Sequence, residues 1–141
     1  MKIYLKQMYL DLHKEYKGEI KVEAIIPVTN KEELSLAYTP GVAAPCLEIA
    51  KNKEKAYDYT LKGRSVAVIS NGTAVLGLGD IGAFGSLPVI EGKALLHKSF
   101  AGTDAYPIAI DATDKDEIVN VIKAISPGFA GIHLEDIKAP E

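Results

Sequence analysis

The residues with most to offer chemically are few. Glu135 and Asp136 stand side by side, and carboxylates select a hard cation such as Mg²⁺ or Mn²⁺. Adjacent residues of a regular strand point to opposite faces, so this pair can share one ion only where a strand has ended or bends. They follow Phe129–Leu134, which reads as a strand, and ligands of α/β folds gather beyond the carboxyl ends of strands. Taken by type alone, such a pair is ordinarily a solvated strand end. Lys93 reads by type as an exposed helix lysine like Lys98; a lysine serves as a base near neutral pH only if burial or positive neighbours lower its pKa. Tyr38 precedes the stiff turn Thr39-Pro40-Gly41, and a tyrosine, with a pKa of about 10, is a weak acid unless a neighbour helps it.

Gly77-Leu78-Gly79-Asp80-Ile81-Gly82 matches G-x-G-x-x-G, whose glycines let a helix N-terminus approach a pyrophosphate. That motif should open a long helix. Here Gly85 and Pro88 follow and are expected to disrupt one, so the stretch reads as a tight turn and no cofactor-binding residue is assigned. Cys46 is the lone cysteine, without a partner for an internal disulfide, and reads as a small core hydrophobe. His13, His97 and His133 are too far apart for a local zinc pattern and read as structural or surface residues.

The elements that must position these groups can be read in order. Lys2 to Tyr16 carries Ile3, Leu5, Met8, Tyr9, Leu12 and Tyr16 at helical spacing, with Gly18 as its stop. Ile20–Ile26 alternates at period two, predicting an edge strand before Pro27. Asn30, with Glu33 beyond it, caps a short helix ending near Tyr38. Helical stretches Ala44–Lys51 and Lys53–Leu61 close at Gly63. Ser65–Ser70 is a β-branched apolar run, as in a strand covered on both faces. Gly72–Gly92 reads as irregular, Gly92–Phe100 as helix and Tyr106–Asp111 as strand. Asp114 caps a helix whose stripe is Ile118, Val121, Ile122 and Ile125, ended by Pro127-Gly128 before the last strand. Alternating strands and helices predict an α/β layer fold: helices around a mostly parallel sheet.

The chain has 141 residues, 48% apolar and 25% charged, the size and composition of one folded domain. Net charge is −3 with no cluster of Lys or Arg, which argues against nucleic acid as a partner. Apolar runs such as Val66–Ile69 and Ala74–Leu78 fall far below the roughly 20 residues of a membrane span. Met1-Lys2-Ile3-Tyr4 leads into no signal-like stretch. A cytoplasmic protein, with no membrane partner, is expected.

Four blocks taken together decide more than any one residue: Ala37-Tyr38-Thr39-Pro40-Gly41-Val42, Asn71-Gly72-Thr73-Ala74-Val75-Leu76-Gly77-Leu78-Gly79, Glu91-Gly92-Lys93-Ala94 and Leu134-Glu135-Asp136-Ile137. In order and approximate spacing they resemble the N-terminal, substrate-and-metal domain of the short, bacterial-type malic enzymes, from about Ile20 to Glu141. Malic enzymes oxidise L-malate at C2 with NAD or NADP, decarboxylate the oxaloacetate, and protonate the enolpyruvate to leave pyruvate and CO₂. The resemblance implies that Lys93 is the base at the C2 hydroxyl and Tyr38 the acid at C3, with Lys93 the neighbour that helps it. It also implies that Glu135 and Asp136 hold Mg²⁺ or Mn²⁺, which polarises the ketone and stabilises the enolate. In this family the glycine-rich segment belongs to the substrate domain, and the nicotinamide lies in a second domain that follows.

Residues 1–141 are thus expected to be one malic enzyme N-terminal domain, lacking the NAD(P)-binding domain and a third metal carboxylate that the family supplies beyond Ala139-Pro140-Glu141. By itself the chain is expected to be catalytically incomplete. Ala74 stands where the longer eukaryotic-type enzymes carry an arginine for a malate carboxylate, which the short type generally lacks. Malolactic enzyme, which uses bound NAD to yield lactate, is a close alternative. A non-catalytic binding or oligomerisation module is a more distant one. The helix Lys2–Tyr16 fits a homodimer, as N-terminal helices of this family tend to, or a cover for its own core.

Overall fold

The computed structural model describes residues 3–139, and of Ile3 only the backbone. At its centre is strand β1 (Ser65–Ser70), flanked on both sides by parallel neighbours, β2 (Asp104–Ala109) and β3 (Gly131–Leu134), in the order β2-β1-β3. Parallel neighbours require crossovers. Helix α5 (Gly82–Ala101) connects β1 to β2, and helix α6 (Lys115–Ile125) connects β2 to β3. Register pairs Val68 with Pro107 on one side and with His133 on the other. The expected α/β architecture with a parallel sheet is found.

β1 is apolar throughout because both its faces are covered. Ala67 and Ile69 join Ile110, Ala112 and Ile118 in one cluster, with Val121, Ile122 and Ile125 of α6 packed against it. Alternation along the strand turns Val68 and Ser70 to the opposite face, where α5 lies with Ala83, Ser86, Ile90 and Ala94 buried. Ile69 and Ile90 are fully buried, and truncating either to Ala costs about 2–5 kcal/mol. The Asp114 side chain accepts from the Glu117 N–H at 2.9 Å and starts α6 as expected.

α5 overturns the expected irregular stretch. It begins at Gly82, ten residues before the expected start at Gly92, and runs through Gly85 and Pro88. A mid-helix proline removes one hydrogen bond and costs about 3 kcal/mol; four buried side chains against the sheet outweigh it. Gly85 is there for space: an added Cβ would lie 3.1 Å from the Ile81 side chain. The helix stops at Gly102, in the left-handed region at φ 68°.

The N-terminal part is helix α1 (Ile3–Tyr16), an extended segment, α2 (Lys31–Ala37), α3 (Ala43–Lys51) and the single turn α4 (Ala56–Tyr59). Lys2, the expected start of α1, lies outside the described residues. Asn30 caps α2, accepting from Glu33 N–H at 2.9 Å. Ile20–Ile26 is not a strand: among the described residues no strand pairs with it, and Val22, Ile25 and Ile26 are exposed. Alternation without a partner cannot make a sheet. The expected helix Lys53–Leu61 is broken into α4 between two 3₁₀ turns. Cys46, on α3, is exposed and not a core residue, because α3 buries none of its residues. Strand boundaries shift by about two residues, β2 to Asp104–Ala109 and β3 to Gly131–Leu134. Among the described residues no helix is long and apolar enough to cross a membrane.

Candidate active site at the carboxyl end of the sheet

Two loops leave the carboxyl ends of β1 and β3 and are stitched together. Glu135 N–H donates to Ile69 O at 2.9 Å, Ala74 N–H to Asp136 O at 3.0 Å, and Lys138 N–H to Thr73 Oγ1 at 2.9 Å. Thr73 is held in turn by donating Oγ1–H to Asn71 Oδ1 at 2.7 Å, while the buried Asn71 amide donates to Ala112 O at 3.0 Å. Gly72 must be glycine: its φ is +71°, and a Cβ would lie 2.0 Å from Gly82 O. β3 ends at Leu134, and Asp136 then adopts φ +52°. That turn breaks the strand alternation which would otherwise send Glu135 and Asp136 to opposite faces.

Lys93 projects from α5 into this corner. Its Nζ lies 3.2 Å from Glu135 Oε2, with the Lys93 side chain 33% exposed and that of Glu135 17%. The same Oε2 is 2.9 Å from His133 Nε2, and His133 Nδ1 is 3.1 Å from His97 Nε2. Lys93 and His97 are one helical turn apart, and His133 and Glu135 lie two residues apart on one strand direction. The two periods thus set a pair from the helix against a pair from the strand. Burial, and then the charge of Glu135, push the Asp136 carboxyl above its usual range, while Lys93 pulls it back.

Tyr38 is not part of this corner. It ends α2 at the cis Thr39–Pro40 bond, is 65% exposed, and among the described residues has no hydrogen bond to Lys93, Glu135 or Asp136. Among the described residues the expected Tyr38–Lys93 pairing has no hydrogen bond, and Glu135 stands beside Lys93. A spacious groove lies elsewhere, between the extended 19–25 segment and the α5–β2 surface.

The malic enzyme N-terminal domain family matches residues 16–141. The chain belongs to that family. It is 53% identical over 136 residues to the bifunctional malic/malolactic enzyme of Bacillus subtilis, covering 96% of this chain and 33% of the relative. It is 56% identical over 138 residues to the NADP-dependent malic enzyme of Escherichia coli, covering 97% and 18%. Among solved structures, the NAD-dependent malic enzyme of Thermotoga maritima superimposes with a TM-score of 0.90 at 47% identity, over 93% of this chain and 37% of that one. The malic enzyme of Entamoeba histolytica gives 0.91 at 37% identity, over 97% and 29%. The chain thus spans a third or less of the length of these two curated relatives.

Within this malic enzyme N-terminal domain, Glu135 and Asp136 suit a divalent cation. Glu135 Oε1 has no hydrogen-bond partner among the described residues. Burial first, and then the charge of Glu135, raise the Asp136 pKa, and a cation would favour the ionised form. Among the described residues no group of three or more His, Cys, Asp or Glu able to hold a metal occurs. His97 and His133, structural or surface residues by sequence, are both in contact with the site through Glu135. The signal available was their position, four residues after Lys93 and two before Glu135.

Proposed function

We propose that this chain forms the substrate-and-metal half of an enzyme that oxidatively decarboxylates L-malate to pyruvate and CO₂. The observation that carries the reading is the Lys93 Nζ to Glu135 Oε2 contact of 3.2 Å at the carboxyl end of the sheet, which joins the proposed base to the acidic pair; a cation held by that pair would offset the carboxylate charge that favours the ammonium form and supply the positive neighbour a lysine base needs. Lys93, once neutral, takes the C2 hydroxyl proton while C2 is oxidised to a ketone. The two electrons leave as hydride to NAD or NADP, bound mainly by residues outside this chain. Glu135 and Asp136 are the residues that would hold Mg²⁺ or Mn²⁺, which would supply a Lewis acid for the C2 oxygen and for the negative charge left as the C3–C4 bond breaks. Tyr38 then protonates C3 of the enolpyruvate.

Tyr38 is exposed and has no hydrogen bond to Lys93 among the described residues, and α1 exposes Leu5, Met8 and Leu12 along one side. Both observations fit a homodimer in which the arm carrying Tyr38 serves a second copy. Fully active protein that sediments as a monomer at high concentration would remove this part of the reading.

The reaction is tested on the full-length protein with malate, Mn²⁺ and either nicotinamide, following reduced cofactor and released CO₂. Lys93→Ala is expected to lower kcat by about 10²–10⁴. If the wild type yields neither reduced cofactor nor pyruvate, the reading fails. Lactate without net cofactor reduction would assign the malolactic reaction instead.

A further inference from the structure

Three side chains beyond the acidic pair form an ordered chain ending on Glu135. Thr103 Oγ1 lies 3.5 Å from His97 Nδ1, His97 Nε2 lies 3.1 Å from His133 Nδ1, and His133 Nε2 lies 2.9 Å from Glu135 Oε2. The two imidazoles meet edge to face, centroids 5.2 Å apart and planes at 77°, so each ring is held by the other as well as by its hydrogen bonds.

The chemistry of the end groups sets the direction of the whole chain. A carboxylate oxygen only accepts, so His133 Nε2 carries the proton that points at Glu135. The Nδ1 of a neutral His133 is then an acceptor, and it takes the N–H of His97 Nε2. His97 Nδ1 is left as an acceptor, with the Thr103 hydroxyl 3.5 Å from it and at the same distance from the His97 carbonyl oxygen. Both imidazole N–H donors point towards Glu135. On that carboxyl, Oε2 receives both His133 and Lys93, whereas Oε1 has no protein partner among the described residues.

We propose that His133, itself fixed in one tautomer by His97, is a positioning residue: it pins Oε2 of Glu135 against Lys93 and so keeps Oε1 turned out for the divalent cation. Partners of this kind fix the orientation of a metal-binding carboxylate, and their loss weakens metal affinity. The inference rests on the reading of Glu135 as a metal ligand, so the test separates the two.

Two measurements on the full-length protein decide it. In ¹⁵N-histidine spectra of the metal-free wild type, with both rings neutral, His97 and His133 are each expected as a single Nε2–H tautomer. His97→Phe should release His133 into exchange between tautomers, and His97→Gln, which keeps an N–H donor, should restore it. In Mn²⁺ titrations followed by electron paramagnetic resonance, without substrate, His133→Ala should weaken binding by about 10–100-fold, His97→Phe by less, and His97→Gln least. Mixed tautomers in the wild type, or Mn²⁺ affinity unchanged in His133→Ala, would overturn the proposal. Glu135→Gln is the separate control. If it leaves Mn²⁺ binding intact, the metal reading itself falls; if it abolishes binding while His133→Ala does not, only the positioning role is lost.

Discussion

Replacing Gly72 by alanine is expected to damage this domain far more than the same change at Gly77, although both lie in one loop and share the same backbone conformation. Gly72 has φ +71° and Gly77 φ +78°. Placing an L-residue in the left-handed region costs roughly 1–2 kcal/mol, and that is all Gly77→Ala should pay, because nothing lies within 4 Å of its added Cβ. At Gly72 the new Cβ would lie 2.0 Å from Gly82 O and 2.5 Å from its carbonyl carbon. Those are backbone atoms at the start of α5, so no side chain can swing aside, and forcing extra volume into a packed site costs roughly a further 1–3 kcal/mol.

The predicted difference between the variants is therefore about 1–3 kcal/mol. Urea unfolding measures it: with slopes of about 1–3 kcal/mol/M for small domains, the Gly72→Ala midpoint should fall about 1 M below that of Gly77→Ala. The displacement should also reach the site, because Thr73 and Ala74 bond to Lys138 and Asp136 directly. Mn²⁺ affinity is expected to fall in Gly72→Ala and to hold in Gly77→Ala. Coincident midpoints would refute the close packing of the loop on α5.

Asp136→Asn should retain the left-handed turn at φ +52°, which asparagine tolerates, while removing the like charge. Because the folded pKa of Asp136 is raised, its contribution to stability is fully present below 3.8 and is lost as pH rises through the folded value. The wild type should therefore lose stability relative to Asp136→Asn from that pH upward, as read by thermal melts without metal; a flat difference would count against the buried pair. His13 donates to Tyr9 O and meets Glu19, which hold its pKa above 6.5. Its stabilising contribution is then complete below 6.5 and disappears as pH rises through the folded value. Titration followed by NMR should show that raised midpoint, and Glu19→Gln should bring it down.

The parts of the fold legible in the sequence are those where local and tertiary demands agree. β1 is a β-branched run that is buried on both faces, and α6 shows its cap at Asp114 and its stripe from Ile118 to Ile125. Disagreement explains the failures. Gly85 and Pro88 argue locally against a helix, but burial of Ile90 and Ala94 outweighs them. Ile20–Ile26 alternates like a strand, yet β1 already has a neighbour on each side and neither is this segment. Cys46 has a core residue's chemistry on a helix that packs on little. The acidic pair was legible as a strand-end pair, but only the left-handed turn at Asp136 explains how neighbours converge. His97 and His133 were invisible as a pair because 36 residues separate them; the α5 crossover and the Val68–His133 register bring them together.

On the proposed reading, the Glu135 carboxyl serves both Lys93 and a cation. Lys93 is the one group that pulls the Asp136 pKa back down, so its charge partly neutralises the acidic pair and opposes a second cation there. If Lys93 served only to hold Glu135 in place, removing it would loosen the carboxyl and weaken Mn²⁺ binding along with turnover. The hydrogen bond from His133 to the same Oε2 remains in Lys93→Ala, so the carboxyl keeps one anchor while losing a competing charge. Lys93→Ala is therefore expected to bind Mn²⁺ at least as tightly as the wild type while losing turnover by about 10²–10⁴. Parallel loss of both would make Lys93 a structural residue and leave the base of the reaction to be sought elsewhere.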